Sequence, residues 1–531
     1  MTTNQQGMYM SQQTRSFDLS RRQFMAGAAG LGLTTLASGL IVPSAMAQEA
    51  APARGGVLKL GIGGGSTTDN FDIRILNDWV PVNQGYMVFN GLVEIDKDNR
   101  AQPELFETWE PSADAKEWTF NIRQGVTFHD GKTLTADDIL YSINLHRGED
   151  STSAIRSTAA QLTDVTKVSE TQIKITLESG NADLPYILSD YHFLVVPDGF
   201  TDWSKPVGTG PFVMESFDPG VRARFTRNES YWKPNTAWVD AVEVIVINDI
   251  SARTNAMMSG QVHAINQVDF KTVDLLKRNP NLNIIQSAGG QHFTFLMDCT
   301  QGVFADNNVR MAIKYAIDRE QMLTTALRGY GQLGNDHPIP VTDPFYAAGL
   351  PQRAYDPEQS KFYLKQAGMD SLNIELSASD AAFSGAVDAA AIFQGSAAAS
   401  GINLTIKREP SDGYWSNVWM KAPFSMGYWG GRPTADQMLT AAYSSTSTQN
   451  DTHWVNEDFD KKLIEARALL DPSLRKEIYA ELQQMISDEG GAMIPMFGDY
   501  LDAASSQLKG VTSHPMFNFM GARLAEKVWL A

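Results

Sequence analysis

The sequence predicts an α/β or α+β protein built from several lobes. Its 531 residues exceed what one ordinary hydrophobic core can organise. Stretches that alternate with a period of two are interleaved along the whole chain with stretches of helical spacing, and no segment repeats another.

The first element is a targeting segment. Arg21-Arg22 lies within Ser20-Arg21-Arg22-Gln23-Phe24-Met25, followed by an uncharged run rich in Ala, Gly and Leu from Phe24 to Val42, then Ala45-Met46-Ala47. A basic start, an apolar middle and small side chains at a cleavage site read as a twin-arginine secretory signal over residues 1–47, leaving a mature chain from about Gln48. At roughly twenty residues the run is long enough for a transmembrane anchor, but its Gly, Thr and Ser residues make it weakly apolar. The expected location is the periplasm, with no lipid-modified cysteine near the start.

Residues 48–56 read as a flexible lead-in, Val57 to Ile62 as a strand, and Gly63-Gly64-Gly65-Ser66 as its break. That glycine string lacks the G-K-[ST] ending of a phosphate loop. Trp118 to Val126 alternates as a strand, Asp130-Gly131 marks a turn, and Thr135 caps a helix running to about His146 with Asp137 and Asp138 in its first turn. Val165–Ser169 and Gln172–Leu177 form a predicted hairpin, and Val242 to Ile247 a buried strand. Helices are expected over Asn307–Arg328, Pro357–Ala367, Phe383–Ser400, Glu457–Leu470 and Ser473–Ser487, with strands over Leu372–Ser377 and Ile402–Arg408.

Composition narrows the function. A formal net charge of −18 disfavours nucleic acid and anionic membrane surfaces. The single cysteine, Cys299, excludes an internal disulfide and a structural zinc cluster. Eleven Trp, 16 Tyr and 25 Phe suit a core plus a pocket that stacks on small ligands. The eight histidines form no metal-binding spacing, and no G-x-S-x-G or cysteine–histidine signature is present. Ser473-x-x-Lys476 has the spacing of a β-lactamase motif without its partner motifs, and Ser473 after Pro472 reads as a helix start. No enzymatic constellation emerges, and no cofactor is called for.

A series of strings then coincides in order. Gly55-Gly56-Val57-Leu58, Pro103-Glu104-Leu105 and Trp109-Glu110 come first, then the block from Arg123 through Phe128-His129-Asp130-Gly131 to Asp138. Pro206-Val207-Gly208-Thr209-Gly210-Pro211-Phe212, Asn228-x-x-Tyr231-Trp232, Asn308-Val309-Arg310-x-Ala312, Ala316-Ile317-Asp318-Arg319, Tyr355-Asp356-Pro357 and Tyr428-Trp429 follow. Together they resemble the family 5 extracellular solute-binding proteins, the dipeptide, oligopeptide and nickel receptors of ABC importers. The resemblance implies an α/β, two-lobed periplasmic-binding-protein fold that closes on ligand as a hinged trap, with an additional domain on the N-terminal lobe. The first lobe would comprise residues 48–91, 196–288 and 503–531, the additional domain 92–195, and the second lobe 289–502. It also implies a non-enzymatic, usually monomeric receptor that delivers a small organic solute to an ABC permease in the inner membrane.

The signature strings are expected to be scaffold. The expected ligand wall comes from the second lobe: Tyr414, Trp415, Trp419, Tyr428, Trp429, Gly430, Gly431 and Arg432, with core packing the alternative for the aromatics. Peptide receptors that resemble this chain carry Asp three residues after the Trp matching Trp429, where it grips the peptide's amino terminus; here the residue is Arg432. A guanidinium presents a fork of donors suited to a carboxylate and repels an ammonium. The expected ligand is therefore a peptide, opine-like compound or other carboxylate-bearing nutrient, unless Asp436 holds Arg432 in a purely structural pair. A metal or metal–chelate receptor using His292 and His453, and an exported hydrolase, are the other readings.

Overall fold

The computed structural model describes residues 51–531; the twin arginine, the apolar run and the cleavage site lie outside the described residues. Strand Val57–Ile62 forms where alternation predicts it and buries Leu58, Leu60 and Ile62 completely. It lies inside a seven-stranded sheet, parallel to Ala241–Val246 on one side and to Ala264–Ile265 on the other. Gly64 ends it at φ +83°, where an added Cβ would sit 2.1 Å from the Asp78 carboxylate. The same sheet holds Phe212–Asp218, Arg222–Arg227, Leu282–Ser287 and Tyr500–Ser505.

A six-stranded sheet has His292–Met297 near its centre, flanked by Phe424–Trp429 and Ala492–Gly498. All six residues of His292–Met297 are buried, because helices cover both faces of this sheet. Phe295, Met426 and Phe393 fill one face, and Leu296, Ile494 and Leu482 the other. The chain passes between the two large sheets twice, once through residues 288–291 and once at Asp499. The Gly498 amide donates to the Gln291 carbonyl at 2.9 Å and ties the two passages together. The second passage falls before the expected boundary at 502/503, because Tyr500 is already paired with Ser287 in the seven-stranded sheet.

A four-stranded antiparallel sheet, Phe106–Pro111, Glu117–Ile122, Gln172–Leu177 and Leu162–Ser169, packs against helix Ala136–Asn144. Asp138 caps that helix by accepting from both the Thr135 amide and hydroxyl, at 2.8 and 2.7 Å. Two of the motif strings meet beside it. The His129 amide donates to the Gly208 carbonyl at 2.9 Å, and its Nε2 lies 3.1 Å from the Gly210 carbonyl. Gly208 and Gly210 press on the backbone of Val88, where an added Cβ would fall at 2.1 and 2.5 Å. These strings are steric locks between segments, and the His129-Asp130 pair plays a backbone role.

The expected helix over Asn307–Arg328 is two helices, Asn307–Tyr315 and Arg319–Ala326. Asp318 divides them by accepting from the Gln321 amide as an N-cap, which outweighs the continuous apolar spacing. The helix expected from Phe383 starts at Ala386, after Gly385 in a left-handed conformation. Among the described residues, no helix is long and apolar enough to cross a membrane.

Candidate ligand-binding site

Strand Phe424–Trp429 delivers the candidate residues to the space between the two large sheets. Successive side chains of a strand point to opposite faces. Trp429 turns into one core of the second lobe with 8% exposure, and Tyr428, on the face of Met426 but at the end of the strand, emerges half-exposed. Beyond the strand, Gly431 lies against the first passage between sheets. A Cβ added to Gly290 would come within 2.8 Å of the Gly431 Cα, which excludes a side chain there, and one on Gly431 would sit 3.1 Å from the Gly290 Cα. The contact turns the chain outward and places Arg432 in a cavity of about 1390 Å³, lined also by Tyr428, Gly430 and Gly431.

Arg432 makes no ion pair or side-chain hydrogen bond among the described residues. Its guanidinium lies 5.7 Å from the centroid of the Trp429 ring. The cleft walls lower its pKa from arginine's ordinary value by desolvation, opposed by Asp190, Tyr191 and Tyr500 across the cleft. The side chain nonetheless remains open to water in the cleft. It stays protonated, a wet but partly desolvated cation without a partner. Asp436 does not supply one. Both Asp436 carboxylate oxygens accept from Nε of Arg467 at 3.0 Å, and Arg467 also donates to Thr440 at 2.7 Å.

The aromatic candidates divide. Trp429 does not line the cavity; its Nε1 donates at 2.9 Å to the buried Asp451, a carboxylate pushed up to about 6 by desolvation. Trp419 reaches the same carboxylate at 3.4 Å. Tyr414 is 1% exposed and donates to the Met426 carbonyl at 2.7 Å, which makes it a buried brace for the strand. Trp415 is exposed and packs edge-on against Tyr428, with ring centroids 5.7 Å apart, outside the cavity wall. Trp429, Tyr414 and Trp419 thus support the wall from behind, because inward strand positions and indole N–H groups seek buried partners.

The opposite wall was not identified from sequence. Trp79, Tyr191, Tyr500 and Phe517 all line the cavity and are half-buried. Asp190 joins them, with its carboxylate 2.7 Å from Nδ1 of His192. Part of the cavity floor is formed by Arg523, which pairs with Glu104 at 2.6 Å and lies 4.2 Å from the Tyr86 ring centroid. Burial pushes Glu104 up, but Arg523 and Lys233 outweigh it and hold the carboxyl below its usual range. The His292 ring faces the Gly290 carbonyl at 3.1 Å, whereas His453 faces Asp298 at 3.1 Å. Among the described residues, no group of three or more His, Cys, Asp or Glu is placed to hold a metal ion.

The family model of the bacterial extracellular solute-binding proteins, family 5 Middle, matches residues 100–451. The chain belongs to this family. Di/tripeptide-binding protein 1 of Pseudomonas aeruginosa (strain UCBPP-PA14) is 26% identical over 443 residues, covering 76% of this chain and 82% of that protein. The structure of HbpA2 from Haemophilus parasuis superposes with a TM-score of 0.80 at 20% identity, covering 90% of this chain and 100% of that one. The binding protein AgaA from A. tumefaciens R10, in complex with agropinic acid, gives a TM-score of 0.72 at 24% identity, covering 90% and 99%. The fold is that of the two-lobed periplasmic binding proteins with an additional domain, and this family 5 member is a solute-binding protein rather than an enzyme.

Proposed function

We propose that this family 5 member is the periplasmic receptor of an ABC importer and delivers a small carboxylate-bearing organic solute, such as an acidic peptide or opine-like compound, to the permease. The single observation that carries the choice of ligand is Arg432: a guanidinium projected into the inter-sheet cleft, with Asp436 already engaged by Arg467. A two-pronged donor of this kind fits a carboxylate. The same step in peptide receptors that resemble this chain carries an aspartate for an amine, so the charge preference is reversed here. The AgaA complex with agropinic acid makes an acid a reasonable guest for this fold. We assign residues 292–498 to the second lobe, 92–195 to the additional domain, and 51–91, 196–287 and 500–531 to the first lobe, with residues 288–291 and 499 as the passages between them. The Arg21-Arg22 segment, by its sequence, directs export by the twin-arginine route.

The test is calorimetric binding of carboxylic acids, each paired with its primary amide, after a melting-shift screen of peptides, opines and sugar acids. The acid binds and its amide binds much worse. Arg432→Ala costs about 2–5 kcal/mol of that binding, since a desolvated charge on the ligand loses its partner. Arg432→Lys recovers part of it. Equal affinity of acid and amide for the unaltered protein refutes the carboxylate assignment.

A further inference from the structure

Four aromatic rings from four separate segments converge on the side of the cleft opposite Arg432. Trp79 begins helix Trp79–Val88, Tyr191 follows Asp190, Tyr500 opens the strand after the second passage, and Phe517 belongs to the C-terminal segment. Their centroids lie 5.7 Å apart for Trp79–Phe517, 6.3 Å for Trp79–Tyr500 and 6.0 Å for Tyr191–Phe517, at interplanar angles of 79°, 72° and 73°.

Each pair meets edge to face. An edge-to-face pair covers only one face of one ring with the rim of the other, and all four rings line the cavity and stay only half-buried, so ring surface is left toward it. Fully buried rings of the same half of the molecule, Phe212 and Phe225, show what core packing looks like here: 0% exposure. The four cleft rings stop short of that state. Apolar surface held open in a concave site is the usual lining of a ligand pocket.

The polar tips fit the same purpose. The Tyr191 and Tyr500 hydroxyls have no hydrogen-bond partner among the described residues. Burial raises both phenols to about 12, so they stand as neutral donors near Arg432. Asp190 also lines the cavity; its Oδ1 accepts from the His192 amide at 2.9 Å and lies 2.7 Å from the ring Nδ1, whereas its Oδ2 has no partner among the described residues.

We infer that these rings form an aromatic box for a flat ring on the ligand, so that the solute of this receptor is an aryl-bearing acid, its carboxylate on Arg432 and its ring among Trp79, Tyr191, Tyr500 and Phe517. This rests on the reading of Arg432 as the carboxylate anchor. An aliphatic acid of the same size satisfies the anchor but cannot stack or point its ring edge at the box.

Three probes separate the two ideas: N-acetyl-phenylalanine, its primary amide, and N-acetyl-cyclohexylalanine, whose ring has the same carbon count without a π face. The expected result is that the phenyl acid binds about tenfold tighter than the cyclohexyl acid, the free energy of one or two aromatic contacts. Trp79→Leu and Phe517→Leu each reduce that preference to within about twofold, with the circular dichroism spectrum unchanged. Tyr500 is left alone because Gly289 packs directly on its ring. Equal binding of phenyl and cyclohexyl acids overturns the box, as does a phenyl preference that survives both substitutions or a failure of the phenyl acid to bind at millimolar concentration. If either variant fails to fold, the other and the two-acid comparison on the unaltered protein still decide. A phenyl preference accompanied by equal affinity for acid and amide keeps the box and removes the carboxylate anchor instead.

Discussion

Replacing Asp183 by Asn tests how the additional domain and the second lobe hold one another. Asp183 precedes the short helix Leu184–Ile187, and its Oδ2 lies 2.6 Å from Nη2 of Arg475 on helix Pro472–Glu489. Their side chains are 1% and 7% exposed. The Arg475 guanidinium is flanked by the rings of Phe345 and Tyr479 at 4.7 and 5.5 Å, so it is largely shielded from water. Burial alone lowers its pKa, but Asp183 outweighs that and raises it. Beside the pair, the Ala182 amide donates to the Arg467 carbonyl at 2.8 Å. Stranding one member of a buried ion pair costs about 3–5 kcal/mol. In a hinged receptor that cost has two possible destinations. If the pair exists only when the lobes are together, opening rehydrates Arg475 and the whole penalty falls on closure. At about 1.4 kcal/mol per decade, ligand affinity then falls by roughly two to nearly four orders of magnitude. Ligand-free stability in urea changes by less than about 1 kcal/mol, the level of an exposed substitution. We expect this outcome for Asp183→Asn, measured by calorimetry with an acid from the melting-shift screen, urea unfolding, and small-angle scattering of the ligand-free protein. Unchanged affinity together with a urea stability lower by about 3 kcal/mol or more refutes it, because the contact is then a permanent part of the fold.

Other substitutions probe the remaining parts. Gly290→Ala forces a Cβ against the Gly431 Cα, so it weakens acid binding about tenfold or more while moving the thermal midpoint by only a few degrees; an unaffected dissociation constant by calorimetry contradicts the described contact. Trp429→Phe leaves the buried Asp451 without its 2.9 Å donor and lowers urea stability by about 1–3 kcal/mol, with affinity kept; the opposite pattern makes Trp429 a ligand contact. Asp502 is pushed up to about 7 by burial, against hydrogen bonds from the Phe519 amide and Asn518. The native state therefore keeps a proton that the unfolded chain releases above about pH 4, and stability from this group is lost as pH rises through about 7. Relative to Asp502→Asn, the unaltered protein loses up to about 1.4 kcal/mol per pH unit across that window; parallel urea-stability profiles at pH 5 to 8 dismiss the raised pKa.

Local signals were readable where they were strong. Val57–Ile62 alternates cleanly, and Asp356 before Pro357 marks the start of helix Pro357–Gln366 by accepting from the Glu358 and Gln359 amides. The Asn307–Arg328 stretch misled because apolar spacing continues across Asp318, whose capping is a single-residue event. Arg432 was legible as a departure from a familiar motif. The alternation along Phe424–Trp429 puts Tyr428 on the face of Met426 and Trp429 on the other, but both faces of this sheet are packed, so the exposure of Tyr428 comes from its place at the end of the strand. Being next to the cleft is not the same as pointing into it, and the strand's alternation alone does not decide between them. The opposite wall was out of reach, since Trp79, Tyr191, Tyr500 and Phe517 become neighbours only once the two large sheets are built.

The glycine contact behind Arg432 has a mechanical consequence. Gly431 rests on Gly290, and Gly290 lies one residue from Gln291, whose carbonyl ties the two passages between sheets. The proposed anion anchor is therefore mounted beside the passages between the lobes and not at the far edge of either one. A rotation of one lobe about these passages moves its outer edge further than the passages themselves. On the proposed reading, occupancy at Arg432 reaches the outer surface by rotation of the lobes, without a relay of side chains.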